Sequence, residues 1–260
     1  MSRLTVDQDQ CLQDGACVDV CPARTLKLNE QGYPEEIPAA RCIECGHCVA
    51  VCMSGALHHA ALPDADFLPV PENRPSAESI DGFLMGRRSV REFKPEPVQR
   101  ETMETLLEVA RRAPTASNSQ KLHWIVLSGR DKVQALAAQV VEGGRIGGLP
   151  PALLAQWDAG YDFALRGAPT VLVACAPKEY SWGPVDSATA LAYVELAAEA
   201  RGMGVCWAGY LTRIGSLYPP VQKLLQIPEG YAICGGLMLG EGTYGYRLIP
   251  PRKPLSVQWI

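Results

Sequence analysis

From residue 78 onward the apolar positions switch repeatedly between a helical and an extended period. Val98, Met103, Leu106, Leu107 and Ala110 form a stripe at helical spacing, which predicts a helix that begins after Pro95 and Pro97 and runs to Ala113. Residues 78–88 predict a shorter helix with Phe83 and Leu84 on one face, and 131–141 an amphipathic one. Residues 151–166 read as a further helix, and the Ala- and Leu-rich run 187–201 as another, stopped by Gly202 and Gly204. Between them lie short apolar runs without helical period, 123–128, 170–175 and 231–239, which read as buried strands. Helices interleaved with strands predict an α+β or α/β sandwich, in which a sheet hides its two faces under helices.

The first 62 residues follow a different logic, set by cysteine. Seven of the ten cysteines fall within the first 52 residues, in two blocks offset by 31. One block holds Cys42, Cys45, Cys48 and Cys52; the other holds Cys11, Cys17 and Cys21, with Asp14 where the partner block has Cys45. A zinc ribbon needs four ligands in two C-x2-C knuckles, fewer than are present here. Disulfides need an oxidising compartment, and nothing at the N-terminus resembles a signal peptide. The spacing C-x2-C-x2-C-x3-C, written twice, resembles that of a bacterial two-cluster ferredoxin, in which the fourth cysteine of each block ligates the other cluster.

By that resemblance one cluster takes Cys42, Cys45, Cys48 and Cys21, as a [4Fe–4S] cube. The other takes Cys11, Cys17 and Cys52, with Asp14 as the candidate for its fourth corner. Carboxylate oxygen is a harder ligand than thiolate and holds iron less firmly at a sulfur-bridged site. The second cluster is therefore expected as an Asp-ligated [4Fe–4S] or as a [3Fe–4S]. Met53 stands after Cys52 where Pro22 follows Cys21, and the ligand set is unaffected.

Length and charge narrow the picture. At 260 residues the chain is too long for a ferredoxin alone and leaves roughly 180 residues for a second domain. The net charge of −4 lies in the first 62 residues, where eight acids face four bases, leaving twenty of each beyond. That argues against nucleic acid as a partner. No apolar run is long enough to span a bilayer. Pro63, Pro69, Pro71 and Pro75 interrupt any regular element. The expected organisation is an iron–sulfur domain over 1–62, a Pro-rich linker over 63–77, and a second domain over 78–260.

Four segments of that second domain, taken together, resemble the FMN-dependent nitroreductase family. They are Arg87-Arg88-Ser89-Val90-Arg91; the loop 113–120 with Asn118 and Gln120; the stretch 197–209 ending in Ala208 and Gly209; and the Pro-rich 250–254 with Arg252 and Lys253. Guanidiniums and a hydroxyl suit the FMN phosphate, because Arg forks match its oxygens. The resemblance implies that Arg87, Arg88, Ser89 and Arg91, with Arg252 and Lys253, hold the phosphate. It implies that Asn118 and Gln120 meet the polar edge of the flavin, and that the backbone N–H groups of Ala208 and Gly209 approach flavin N5. The family's usual Gln-Pro-Trp is replaced after Gln120 by Lys121, Leu122 and His123.

With the front domain, the chain resembles a ferredoxin–nitroreductase fusion. What this implies is α+β architecture and two iron–sulfur clusters that pass electrons to FMN and on to a small electrophilic acceptor: a nitroaromatic, a quinone or an activated alkene. The donor is expected to be reduced ferredoxin or NAD(P)H. No acid–base triad is evident, and flavin chemistry requires none. An alternative is an electron-transfer adaptor that converts one-electron into two-electron traffic for a protein partner. The resemblance further implies a homodimer. Cluster-forming thiols, with neither a signal-like start nor a membrane span, give an expected place in the cytoplasm, and oxygen-labile clusters an anaerobic or microaerobic host. Cys175, Cys206 and Cys234 read as buried inert thiols, His47 as exposed, and His58 and His59 as the edge of the linker. Trp157, Tyr161 and Phe163 read as core in preference to a substrate wall.

Overall fold

The computed structural model describes residues 3–260. Met1 and Ser2, the start of the expected 1–62 domain, lie outside the described residues. The chain forms two compact units. One runs up to Arg74 and includes Ser117–Ser119; the other comprises Pro75–Ala116 and Gln120–Ile260.

In the first unit the 31-residue offset of the cysteines is also an offset of the backbone. The order is β1 (Leu4–Val6), α1 (Ala16–Asp19), β2 (Leu26–Leu28), β3 (Pro34–Glu36), α2 (His47–Ala50) and β4 (Leu57–His59). Helices α1 and α2 start 31 residues apart, each of four residues and each entered through a glycine, Gly15 and Gly46, at φ 74°. Only glycine holds that left-handed conformation without steric cost. Just before them Gln13 and Glu44 also sit at φ 54° and 52°. The strands then interleave the repeats, with β1 antiparallel to β4 and β2 antiparallel to β3. The Pro-rich segment opens with a 3-10 turn over Asp64–Asp66, and the ring of Phe67 lies against Gly46, 3.2 Å from where a Cβ would stand. That opening therefore packs as part of the first unit.

The second unit is built on one sheet. Its elements are α3 (Ala77–Gly86), α4 (Arg100–Ala110), β5 (His123–Ser128), α5 (Arg130–Ile146), α6 (Pro151–Asp158), β6 (Thr170–Pro177), α7 (Gly183–Glu199), β7 (Gly204–Trp207), α8 (Gly209–Gly215), α9 (Pro219–Leu224) and β8 (Tyr231–Gly240). The strands lie in the order β5-β6-β8-β7, all antiparallel, with Leu172 opposite Leu237 and Val205 opposite Leu239. Strand period then divides the core. Val171, Val173 and Cys175 of β6 pack with Val133, Leu136 and Val140 of α5 and Leu211 of α8. Leu172 and Ala174 pack with Met103 and Leu106 of α4 and Leu191 and Val194 of α7. Each buried Leu or Val contributes about 1.5–3 kcal/mol by leaving water, and the two layers together make the sandwich.

The fold class expected from sequence holds; several boundaries do not. Helix α6 ends at Asp158 and not at 166, because Gly160 turns left-handed at φ 91° and Asp162 accepts the backbone N–H groups of Ala164, Leu165 and Gly167. Helix α5 continues five residues beyond the expected end at 141. Strand β7 and helices α8 and α9 were not expected at all. Residues 89–93 run extended beside the sheet: Val90 N–H donates to Val205 O at 2.9 Å, and Phe93 bridges Gly242.

Candidate functional site

The repeats of the first unit enclose two cavities, and the cysteines sort between them by the crossed pattern. Cys42, Cys45 and Cys48 share one cavity with Cys21; Cys11, Cys17 and Asp14 share the other with Cys52. Among the described residues, no three His, Cys, Asp or Glu side chains converge as ligands of a single ion would. Thiols spread around the walls of a cavity are the donor set of a polynuclear cluster, and all of them are free cysteines.

The local backbone explains how each thiol is presented. The left-handed glycines turn each loop so that its middle and last cysteines start and follow a short helix. Burial raises the Cys21 thiol, but the Thr25 hydroxyl and backbone N–H, both 3.3 Å from Sγ, outweigh it and leave the group below the ordinary thiol range. Cys52 is lowered in the same way, with Ser54 Oγ at 3.6 Å. Burial dominates at the middle positions, raising Cys17 and pushing Cys48 up to about 11. Asp14 is already engaged: its Oδ1 accepts the Ala16 N–H at 3.1 Å. His47 is exposed, as expected. His59 closes β4, just before the Pro-rich segment; it is buried and brings Nε2 to 3.7 Å from Cys42 Sγ. His58 pairs with Asp64 at 2.8 Å.

In the second unit the basic residues divide into two groups. Arg87 Nη1 meets Glu195 Oε1 at 2.8 Å, and Trp207 Nε1 donates to the other oxygen at 3.1 Å. Arg88 donates to the carbonyl of Met85, and its buried Nε has no hydrogen-bond partner among the described residues. The Ser89 carbonyl accepts from Arg91 Nη1 at 3.3 Å. Arg91 then joins Arg166 and Arg213 around a cavity open to solvent, of about 770 Å³, whose apolar wall includes Phe163, Trp207 and Tyr210. Gly209 lines the same cavity, whereas the Ala208 N–H is taken up by Gly236 O at 2.8 Å. Phe163 is core, with its ring edge-on to Tyr210 at 5.1 Å; Trp157 packs against that core and Tyr161 is exposed.

The remaining expected residues lie elsewhere. Asn118 belongs to the segment that packs in the first unit, and its amide donates to the carbonyls of Ile43 and Glu44 at 3.0 and 2.9 Å. Gln120 turns left-handed at φ 48°, with its N–H on Thr115 Oγ1. Arg252 and Lys253 stand in an exposed, irregular C-terminal segment and do not line the arginine cavity. Burial pushes Cys175 up to about 12 and raises Cys206 and Cys234. Sequence reasoning missed Glu195, Arg166 and Arg213. Arg213 lies one helical turn after Gly209, a spacing that offered a cue; Glu195 and Arg166 offered none.

Matches to two family models set the class: a nitroreductase-type oxidoreductase carrying a ferredoxin domain. The chain belongs to the nitroreductase family, whose model matches residues 84–241, and a 4Fe-4S dicluster domain model matches residues 3–53. A 4-nitrobenzoate reductase of Nocardioides sp. (strain LMS-CY) is 29% identical over 208 residues, covering 64% of this chain and 81% of that protein. A protein named Ferredoxin 7Fe, from Hydrogenibacillus schlegelii, is 39% identical over 57 residues, 22% of this chain and 64% of its own length. The fold is also that of a Bacteroides fragilis NCTC 9343 nitroreductase solved with bound FMN, at TM-score 0.60 and 21% identity over 71% of this chain and 99% of that one. No helix among the described residues is long and apolar enough to cross a membrane.

Proposed function

We propose that the chain is a self-contained iron–sulfur flavoprotein reductase. It would take electrons from an external low-potential donor, reduced ferredoxin or NAD(P)H, and reduce a small electrophile such as a nitroaromatic, quinone or activated alkene. One observation carries the reading: two thiol-walled cavities and one arginine-lined, aromatic-walled cavity are encoded in a single chain. When bound, the clusters relay single electrons, and FMN collects two for delivery to the acceptor.

The residues fit those groups. Cys21, Cys42, Cys45 and Cys48 would hold a [4Fe–4S] cluster, and Cys11, Cys17 and Cys52 a [3Fe–4S] cluster. The preference for three irons rests on the hard Asp14 carboxylate being held by the Ala16 N–H, and on the likeness to the seven-iron ferredoxin of H. schlegelii. Arg91, Arg166 and Arg213 would meet the FMN phosphate, with Phe163, Tyr210 and Trp207 forming a wall for a flat ring or substrate. Arg87, Arg88, Ser89, Asn118, Gln120, Ala208, Gly209, Arg252 and Lys253 remain proposals for further contacts. An arginine–phosphate pair is a charge-assisted hydrogen bond, worth about 1.5–3 kcal/mol. Replacing Arg213 by Ala is therefore expected to weaken FMN binding roughly tenfold to a hundredfold, measured by quenching of flavin fluorescence. Unchanged affinity would remove Arg213 from the phosphate site.

A homodimer is part of the same proposal. Leu255 and Trp259 in the C-terminal segment are 90% and 93% exposed, and α3 buries none of its residues despite Ile80, Leu84 and Met85. Such apolar surface is what a second copy covers. Light scattering on the FMN-loaded protein should give twice the chain mass; a monomer at micromolar concentration would count against it. The function itself is tested by anaerobic stopped-flow reoxidation of the reduced protein against a panel of acceptors. Rapid flavin reoxidation by one small molecule, with the clusters following, supports the reductase. Draining only by a protein partner would replace it with the adaptor, a reading that the aromatic wall disfavours.

A further inference from the structure

We propose that His59 donates an N–H to Cys42 Sγ and thereby raises the reduction potential of the four-cysteine cluster, a device its twin site lacks. The inference rests on the cluster reading above and concerns which of the two sites the chain tunes.

The geometry fixes the donor. His59 is 4% exposed, at the end of β4, with Nε2 3.7 Å from Cys42 Sγ. Its Nδ1 accepts the backbone N–H of Ala61 at 3.2 Å. A neutral imidazole that accepts at one ring nitrogen carries its proton on the other. The backbone therefore selects the tautomer whose N–H faces sulfur. No protonation change is needed, because the neutral ring already donates.

The repeat supplies an internal control. Thirty-one residues before His59 stands Leu28, which lines the other cavity and has no proton to give. Thr25, whose hydroxyl and backbone N–H both reach Cys21, has Ala56 as its repeat counterpart. Glu44 N–H adds a further contact to Cys42 Sγ at 3.3 Å. Backbone N–H groups reach the crossing thiol in both repeats, from Thr25 to Cys21 and from Ala56 to Cys52, so the difference lies in the side chains: His59 and Thr25 offer donors at one cavity and Ser54 alone at the other. Negative charge on the cluster sulfurs grows on reduction, so each N–H···S or O–H···S bond is stronger in the reduced state and raises the potential. Two sites of nearly identical backbone are made unequal by what surrounds the sulfur.

The test uses the full-length protein reconstituted anaerobically with iron and sulfide. Iron and sulfide content, with the EPR of the reduced protein, first establishes that the four-iron cluster is present; its absence would overturn the cluster reading itself. Given the cluster, His59→Leu, which installs the repeat's own residue, is expected to move its midpoint potential negative. At a fixed ambient potential the reduced-to-oxidised ratio should fall roughly threefold to tenfold. The signal of the second cluster should not move, and His59→Gln, which keeps an N–H, should recover part of the shift. Pulsed EPR on protein with isotopically labelled histidine should show nitrogen coupling to the reduced four-iron signal, lost in His59→Leu. An unchanged potential in His59→Leu overturns the proposal. If that variant fails to retain its cluster, the wild-type coupling decides: its absence overturns the proposal as well.

Discussion

Replacing Asp14 by cysteine should raise the iron content from about seven to about eight atoms per chain and abolish the three-iron EPR signal of the oxidised protein. The expectation follows from the repeat. Residue 14 occupies the place of Cys45, between the left-handed pairs Gln13/Glu44 and Gly15/Gly46, so a thiol there would be presented to its cavity as Cys45 is. Substitution also removes the Asp14 oxygen that accepts the Ala16 N–H, at a cost of about 1 kcal/mol to the metal-free unit. That loss is small beside a gained thiolate–iron bond. Iron and sulfide analysis with EPR checks it. A variant that keeps a three-iron signal, unaltered by added ferrous iron, would show that the loop cannot deliver a fourth ligand. A wild type with eight irons would show that Asp14 already is one.

Truncating Glu195 to alanine should be among the more damaging single changes in the second unit. Its carboxylate receives both Arg87 and the Trp207 indole, and the pair is largely withdrawn from water, at 24% and 9% side-chain exposure. Removing one member of such a pair leaves the other charge uncompensated, a loss of about 3–5 kcal/mol when burial is complete and toward the lower figure here. The double variant Glu195→Leu with Arg87→Met should recover most of that stability, since apolar residues of similar volume replace buried ion pairs at little cost. Urea midpoints at constant slope measure both. Equal destabilisation by the single and double variants would show that the ion pair is not what the single variant loses. The double variant should still bind FMN less well than wild type if Arg87 also meets the cofactor.

The parts legible in the sequence were those whose information is local. The sandwich was readable because β6 and β8 are long apolar runs, α4 carries a helical stripe, and α7 is an unbroken Ala- and Leu-rich run. Strand β7 escaped because four residues between Gly202 and the Ala208–Gly209 turn look like a helix stop. Helix α6 was overextended because Pro151 marks its start clearly, while its end depends on Asp162 gathering N–H groups from the turn beyond. The ligand sets could be assembled from spacing and the resemblance, since Cys42, Cys45 and Cys48 share one loop and Cys11, Asp14 and Cys17 the other. The arginine cavity could not: Arg91, Arg166 and Arg213 come from an extended edge, a turn and a helix, and only the assembled sandwich brings them together. The approach of His59 to Cys42 was not legible for a related reason, because a three-residue strand has too little period to show which way its side chains face.

The interleaving of the two repeats carries a consequence for how the first unit comes into being. Each cavity is walled by both halves, and each two-stranded sheet pairs one half with the other. Neither half is thus a module that can mature alone. The first cluster to assemble would already clasp Cys21 to the 42–48 loop, or Cys52 to the 11–17 loop, drawing residues far apart in the chain into register for the second. Filling either cavity would therefore favour filling the other, because both need the same two halves in register.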